Sequence, residues 1–165
     1  MTISCRLVTL ASLAACLTAC FGVRPCAAQS NGQGFVAVGL GGYEAPRSSS
    51  GAGQLAGGGE GRVQPWLGVG AEANITGVGE GAWLGLSLGP TFRSTRSTGT
   101  VPFATVRYAL LATGSNALNA TEVGAGIDVW TSRRRGFRLE ARDTIVPWRA
   151  GTDNAFIVRV GLLFR

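Results

Sequence analysis

Residues 156–165, Phe156-Ile157-Val158-Arg159-Val160-Gly161-Leu162-Leu163-Phe164-Arg165, alternate between two kinds of side chain. In an extended chain, successive side chains point to opposite faces. One face of this segment is entirely apolar and consists of Phe156, Val158, Val160, Leu162 and Phe164. The opposite face carries Arg159 and Gly161. This period-two alternation predicts a β-strand with one unbroken apolar face.

The same alternation recurs along most of the chain. Phe137 and Leu139 stand opposite Arg138 and Glu140, for example. If clusters of Gly, Pro, Ser and Asn mark turns, eight extended runs follow: residues 32–44, 54–63, 66–75, 82–94, 101–112, 119–131, 137–146 and 155–165. Each run has about 10–13 residues, the length that a tilted strand needs to cross a membrane. No run of useful length has helical periodicity.

Composition distinguishes a membrane barrel from a soluble one. The chain has 165 residues with 26 Gly, and only 15% of its residues are charged, against about 25% in an ordinary soluble domain. The charged residues share a face with glycine, opposite the aliphatic residues. A soluble barrel would cover its outside with many charges and few glycines, whereas a narrow barrel interior needs small residues beside a few long ones. We therefore predict an all-β fold, an eight-stranded antiparallel up-and-down transmembrane β-barrel.

The charges on the glycine face form a nearly balanced set. By strand parity they are Arg62, Arg93, Arg107, Arg138, Arg142 and Arg159, against Glu60, Glu72, Glu122, Asp128 and Glu140. Charges that are withdrawn from water must be paired. We therefore predict that these residues form an ion-pair network that fills the lumen of the barrel.

The N-terminal part of the chain has a different character. Arg6 precedes an apolar stretch over residues 7–23, and Arg24-Pro25-Cys26-Ala27-Ala28 follows it. This pattern predicts a signal peptide over residues 1–28, cleaved after Ala28, and a barrel domain over residues 29–165. Two alternatives are a short transmembrane anchor and lipidation at Cys20, because Leu17-Thr18-Ala19-Cys20 resembles a bacterial lipobox. All three interpretations export the protein from the cytoplasm.

The mature chain resembles the small eight-stranded bacterial outer-membrane β-barrels, the OmpX-like and OmpA-transmembrane-like group. Residues 135–143 and 156–165 carry this resemblance. It implies a monomer in the bacterial outer membrane whose partners are the membrane lipid and, during insertion, the assembly machinery. It also implies that a terminal aromatic residue, here Phe164, is the assembly signal, although Arg165 follows it. No nucleic-acid partner is expected.

Aromatic residues and turns give further expectations for such a barrel. The aromatic residues of apolar parity near strand ends, expected in girdles at the membrane interfaces, are Phe92, Tyr108, Phe137, Phe156 and Phe164. Trp66, Trp83 and Trp130 have lumen parity, so they are expected either to fill the barrel ends or to mark places where the predicted register slips. With the N-terminus in the periplasm, the connections at Gln64, Thr98 and Arg134 face the periplasm, and those at Arg47, Gly77, Ser115 and Gly151 face outward. The Arg133–Arg135 run suggests contact with a lipid phosphate or an acidic partner, or simply a solvated turn.

Residue types that are missing restrict the chemistry. The chain has no His, and all 15 basic residues are Arg. Ser-His and Cys-His pairs, imidazole-bound metals and lysine chemistry are therefore excluded. Enzymes of the resembled group that act on lipid A use a Ser with a His. Glu122 and Asp128, six residues apart, are better explained as partners of lumen arginines than as a catalytic carboxylate pair. We expect no catalytic residue, cofactor or metal.

These observations favour a non-enzymatic outer-membrane barrel with a plugged lumen and a structural or envelope-integrity role. A first alternative is a narrow channel for small solutes. A second is a soluble or lipid-anchored periplasmic β-barrel that binds a ligand.

Overall fold

A computed structural model describes residues 32–46, 48–79, 81–95, 99–114, 116–148 and 151–165, the side chain of Trp148 excepted. The described residues form eight strands: β1 (Gly32–Ala45), β2 (Ser48–Gln64), β3 (Leu67–Val78), β4 (Gly81–Arg93), β5 (Gly99–Thr113), β6 (Asn116–Trp130), β7 (Arg135–Trp148) and β8 (Gly151–Phe164). The predicted signal peptide, its cleavage after Ala28 and the lipidation alternative at Cys20 lie outside the described residues.

The eight strands form one closed barrel in sequence order. Each strand pairs antiparallel with the next, and β8 pairs with β1 from Gly34↔Phe164 to Glu44↔Asn154. Closure leaves no strand edge unpaired, which the interior of a bilayer requires. The predicted fold class is confirmed. None of the described residues forms a helix long and apolar enough to cross a membrane.

We call the end of the barrel with Gly32 and Phe164 the terminal end and the opposite end the loop end. Strand boundaries differ from the prediction mainly at the loop end. The predicted runs ended at residue 44 and resumed at residue 54, yet β2 already begins at Ser48, which pairs with Ala45. Serine has little preference for strands, but the antiparallel ladder from β1 supplies its backbone with hydrogen-bond partners. Local composition alone therefore placed the turn boundaries too far into the strands.

Side-chain exposure alternates along the strands as predicted. The outer wall is aliphatic and aromatic over most of its height: Val38, Leu40, Leu86, Leu88, Val158, Val160 and Leu162 are all exposed. The opposite parity points inward and is buried. A wall of this kind exposes far more contiguous apolar surface than a soluble protein tolerates, so it is suited to contact with lipid chains.

Trp66 does not lie in the lumen, in contrast to its predicted parity. It is 50% exposed and stacks on Phe92, with ring centroids 6.2 Å apart. A register irregularity between Arg62 and Gln64 disrupts the end of β2, and Trp66 lies in the turn before β3. The alternation of a regular strand does not extend through such a bulge and turn.

Trp83 and Trp130 do lie inside the barrel ends, each as part of an apolar cluster. The cluster at the loop end contains Trp83, Ala109, Leu111, Ala120, Val146 and Ala155. The cluster toward the terminal end contains Phe35, Ala37, Val101, Trp130 and Leu163. Apolar side chains therefore border the charged part of the lumen toward the loop end, and toward the terminal end they lie among the charged side chains.

Candidate functional site: the charged lumen

The lumen is filled with charged side chains that the strand pleat directs inward. The largest side chains below 2% exposure include Arg107, Arg138, Arg142 and Arg159. Glu122 and Glu140 are equally buried. Charges at this depth are tolerable only when each has an opposite charge or several hydrogen bonds. The geometry supplies both, in two groups of residues.

The first group, which we call the central cluster, joins three arginines to three glutamates: Arg107, Arg142 and Arg159 with Glu72, Glu122 and Glu140. The Glu72 carboxylate forms ion pairs with Arg107 Nη1 at 2.6 Å, Arg142 Nη1 at 2.9 Å and Arg159 Nη1 at 2.6 Å. The Glu140 carboxylate forms ion pairs with Arg142 Nη2 at 2.7 Å and Arg159 Nη2 at 2.8 Å. Because five strands contribute to it, this cluster links the barrel wall across its interior.

Glu122 completes the central cluster. Its Oε2 accepts a hydrogen bond from Arg142 Nη1 at 2.8 Å, and its Oε1 accepts one from Asn74 Nδ2 at 3.4 Å. Gln54 contributes from β2, because its Oε1 accepts a hydrogen bond from Arg159 Nη1 at 3.3 Å. Three positive and three negative charges therefore share one network.

The second group, which we call the end cluster, joins Arg93 and Arg138 to Glu60 and Asp128 nearer the terminal end. Arg138 donates two hydrogen bonds to Asp128, from Nε to Oδ1 at 2.8 Å and from Nη2 to Oδ2 at 2.9 Å. Arg93 forms an ion pair with Glu60 and lies 3.5 Å from Asp128. Gln33 donates to Asp128 Oδ2 at 3.1 Å. Two positive charges here neutralise two negative ones.

Arg62 does not join either cluster, although the sequence analysis placed it in the network. It makes no ion pair with another described residue, and its side chain is only partly buried. The reason is its position: Arg62 is two residues from the end of β2, beside the register irregularity and at the mouth of the barrel. Its Nη2 atom is nevertheless buried and has no hydrogen-bond partner among the described residues.

Aromatic rings inside the lumen were not anticipated as part of the network. The guanidinium of Arg138 lies 4.8 Å from the ring centroid of Phe35 and 4.3 Å from that of Phe103. Arg159 lies 5.6 Å from Phe35, so this ring stands between the two clusters. Cation–π contact of this kind stabilises a desolvated guanidinium. The inward position of both phenylalanines could have been predicted from strand parity, because they share the face of the charged residues.

Glycines leave space for the charged groups on the lumen face. A methyl group on Gly124 would lie 2.7 Å from Glu140 Oε1, and one on Gly68 would lie 2.5 Å from Glu60 Oε1. Both distances are shorter than van der Waals contact. The high glycine content is thus explained in part by the volume of the paired side chains.

One wall of the lumen, on β4 and β5, is lined by polar atoms that have no hydrogen-bond partner among the described residues. They are Ser87 Oγ, Thr91 Oγ1, Thr105 Oγ1 and the Nε and Nη2 atoms of Arg107. Thr91 and Thr105 face each other across the two strands. Buried atoms without a hydrogen-bond partner among the described residues also occur in the end cluster, at Glu60 Oε2, Arg93 Nε and Arg138 Nη1.

Glu122 and Asp128, the two carboxylates weighed as a pair in the sequence, lie in different clusters. Glu122 belongs to the central cluster and Asp128 to the end cluster, and arginines bind both. No group of three or more metal-ligating side chains occurs among the described residues. The observed arrangement neutralises charge and braces the barrel wall.

Phe164, the predicted assembly signal, is the last residue of β8 and points outward. It pairs with Gly34 of β1 on one side and with Arg135 of β7 on the other, and it is 50% exposed. Its ring covers the space that a side chain at position 34 would need. Phe164 therefore lies at the seam where the first and last strands close the barrel.

Known structures share this architecture. The chain superposes on Neisserial surface protein A with a TM-score of 0.72 at 8% identity, covering 82% of this chain and 97% of that one. It superposes on the N-terminal β-barrel domain of Pseudomonas aeruginosa OprF with a TM-score of 0.60 at 15% identity, covering 81% and 98%. For the outer membrane enzyme PagL the TM-score is 0.58 at 13% identity, covering 77% and 97%.

Sequence comparison adds no closer relative, because neither protein-family models nor curated proteins give a significant match. Identities this low establish the fold and leave the activity open. The closed eight-stranded sheet, the charged interior with its apolar outer wall, and the structural neighbours all indicate the same fold. The chain therefore has the fold of the small eight-stranded bacterial outer-membrane β-barrels, and its apolar outer wall suits it to that membrane.

Proposed function

We propose that this protein is a non-enzymatic integral outer-membrane barrel with a plugged lumen and a role in envelope integrity. The observation that carries the proposal is the filled interior. Ten charged side chains pair across the lumen in two clusters, and apolar clusters adjoin them toward each end. Such an interior braces the wall and leaves little room for a substrate.

The absence of an enzymatic role is part of the proposal. One structural neighbour is described as an outer membrane enzyme, so the fold itself allows catalysis. Two features of this chain favour a non-enzymatic role: it has no His, and arginines hold the lumen carboxylates. A carboxylate held in an ion pair is a poor general base, because its partner stabilises the unprotonated form.

Deletion of the gene in the bacterium that carries it tests the envelope role. We expect the deletion strain to take up more of a hydrophobic fluorescent dye than the parent, because the outer membrane becomes more permeable. A plasmid copy of the wild-type gene should restore exclusion of the dye. Unchanged uptake in the deletion strain, with normal levels of other outer-membrane proteins, would contradict an envelope-integrity role.

A narrow channel is the second candidate, and the polar wall on β4 and β5 favours it. A file of water along Ser87, Thr91 and Thr105 would need to pass the apolar clusters at both ends. Conductance in planar bilayers distinguishes the two functions. A plugged barrel gives no current above background, whereas reproducible unitary currents would support the channel.

The remaining alternative, a soluble or lipid-anchored periplasmic binding barrel, conflicts with the apolar outer wall. Cell fractionation separates it from the integral barrel. We expect the protein in the outer-membrane fraction, and we expect unheated samples in SDS to migrate differently from boiled ones. Recovery in the soluble periplasm would contradict the proposed function.

A further inference from the structure

The buried polar atoms that lack a hydrogen-bond partner on the lumen face are mostly donors. Among the described residues they include five arginine nitrogens and the indole nitrogen of Trp130, all of which can only donate. The hydroxyls of Ser87, Thr91 and Thr105 can donate or accept. Glu60 Oε2 is the one inward-facing carboxylate oxygen among these atoms. The described part of the lumen therefore has more free donors than free acceptors.

Two of these free donors form one edge of the Arg107 guanidinium. The Nε and Nη2 atoms of an arginine carry N–H groups that point in the same direction and match the geometry of a carboxylate. Three other lumen arginines use this edge to bind a carboxylate: Arg138, Arg142 and Arg159. Arg107 is only 1% exposed, and neither its Nε nor its Nη2 has a partner among the described residues. We call these two atoms the free edge of Arg107.

The one ion pair that Arg107 makes determines how the free edge is oriented. Its Nη1 atom lies 2.6 Å from Glu72 Oε2. In a planar guanidinium the Nε–Nη2 edge lies opposite Nη1, so the free edge faces away from Glu72. On β5, Thr105 is two residues from Arg107 toward the terminal end, and it pairs with Thr91 of β4. Both threonines are buried and have free hydroxyls.

The surroundings of the free edge leave Arg107 with less negative charge than the other arginines of the central cluster. Glu72 is its only carboxylate partner among the described residues, and Arg142 and Arg159 share that carboxylate. Arg142 and Arg159 both bind Glu140 as well. A buried charge is stabilised by each opposite charge that it contacts. A further anion would therefore stabilise Arg107 in particular.

We propose that the free edge of Arg107, together with the hydroxyls of Thr91 and Thr105, binds a small carboxylate of the size of formate. Such an ion offers oxygen atoms to both N–H groups of the edge, and its remaining lone pairs can accept hydrogen bonds from the hydroxyls. Gly70 leaves the Nη2 atom uncovered, since even an added methyl group there would lie 3.5 Å from it. The inference goes beyond the proposed function, because it requires only the closed lumen.

Unfolding in urea at increasing formate concentration tests the proposal. The full-length protein is folded into phosphatidylcholine vesicles with sodium formate present, and a bulky sulfonate salt keeps the ionic strength constant. A ligand that binds only the folded state lowers the equilibrium constant for unfolding. Above the Kd for formate, we expect this constant to fall about tenfold for each tenfold rise in formate. Arg107→Lys keeps the charge but removes the free edge, so this variant should lose the response.

The threonine hydroxyls provide a second variant that leaves Arg107 in place. Thr91→Val/Thr105→Val should need formate concentrations at least about tenfold higher for the same response, because two hydrogen bonds to a charged ligand are lost. Thr76→Val is the matched control. The Thr76 hydroxyl is also buried, but it is already bonded to Gln54 and Asn74. This variant should be less stable than the wild type and should respond to formate as the wild type does.

The outcomes separate this inference from the proposed function. Failure of the wild-type protein to insert, seen as migration in SDS that heating does not change, would contradict the membrane barrel itself. Normal insertion with a stability that does not depend on formate, or that depends equally on the sulfonate, would overturn the anion site. An unchanged formate response in Arg107→Lys or in Thr91→Val/Thr105→Val would do so too. A weakened response in those variants, with a normal response in Thr76→Val, would support the site.

Discussion

At the scale of single residues, this barrel is organised by volume and charge on the lumen face. Long arginine and glutamate side chains meet where glycine leaves space, as at Gly124 beside Glu140. The sequence pattern was sufficient to assign the face of each residue. It could not show which arginine pairs with which carboxylate, because those partners come from strands far apart along the chain. Arg62 illustrates this limit, since its parity was correct and its pairing was not.

Valine at position 124 tests whether lumen glycines provide necessary space. Gly124→Val would push a side chain against Glu140 Oε1 and Thr105 Oγ1. Overpacking of this kind costs about 1–3 kcal/mol, measured as the free energy of unfolding in urea from phospholipid vesicles. Gly61→Val is the control, because nothing lies within 4 Å of a methyl group there. Equal effects of the two substitutions would argue against crowding in the lumen.

Removal of one lumen carboxylate tests the ion-pair network. Glu140→Leu leaves Arg142 and Arg159 with fewer acceptors in a water-poor interior. Breaking a buried pair in this way costs about 3–5 kcal/mol, which urea unfolding would report. Glu44→Leu, at an exposed site toward the loop end, should change stability little. A stable Glu140→Leu variant would show that water solvates the arginines.

At the scale of strands, period-two alternation determines both the fold and the facing. Eight strands could be predicted from the sequence, because each has to keep aliphatic residues on the wall and charges in the lumen. Strand ends were less predictable. Ser48 and Ser49 join β2 because β1 offers them backbone partners, and Trp66 points outward because a bulge and a turn precede β3. Both outcomes depend on pairing between strands, which local composition does not reveal.

An arginine on the outer wall tests the facing of β8. Val160 is 54% exposed on the apolar face in the middle of that strand. Val160→Arg should therefore cost about 2–4 kcal/mol near the membrane midplane, measured by urea unfolding from vesicles. Val63→Arg is the comparison at a different depth, because Val63 also faces outward but lies one residue from the end of β2. A position near the interface should cost about 0–1 kcal/mol. A smaller cost at position 160 than at position 63 would contradict the facing.

At the scale of the whole molecule, a closed barrel with a paired interior explains several unusual features of composition together. Ten of the 24 charged residues pair in the lumen, and glycine leaves space for their side chains. The fold alone does not determine an activity. The chain has no His, and its sequence identity to the structural neighbours is low. A fold shared with surface proteins and with an enzyme does not specify a role, so the proposed function depends on this chain's own lumen.

The central claim is that aliphatic residues face lipid while the charged face is sealed inside. A nitroxide scan of β8 in bilayers measures this directly, with single cysteines placed one at a time in a variant whose four native cysteines, all within residues 1–28, are replaced by serine. Labels at Val158, Val160 and Leu162 should collide often with membrane-dissolved oxygen, whereas labels at Ala155, Ile157 and Leu163 should collide rarely with oxygen or with a water-soluble nickel complex. Oxygen collisions that peak at the second set, or that fail to alternate, would contradict the account.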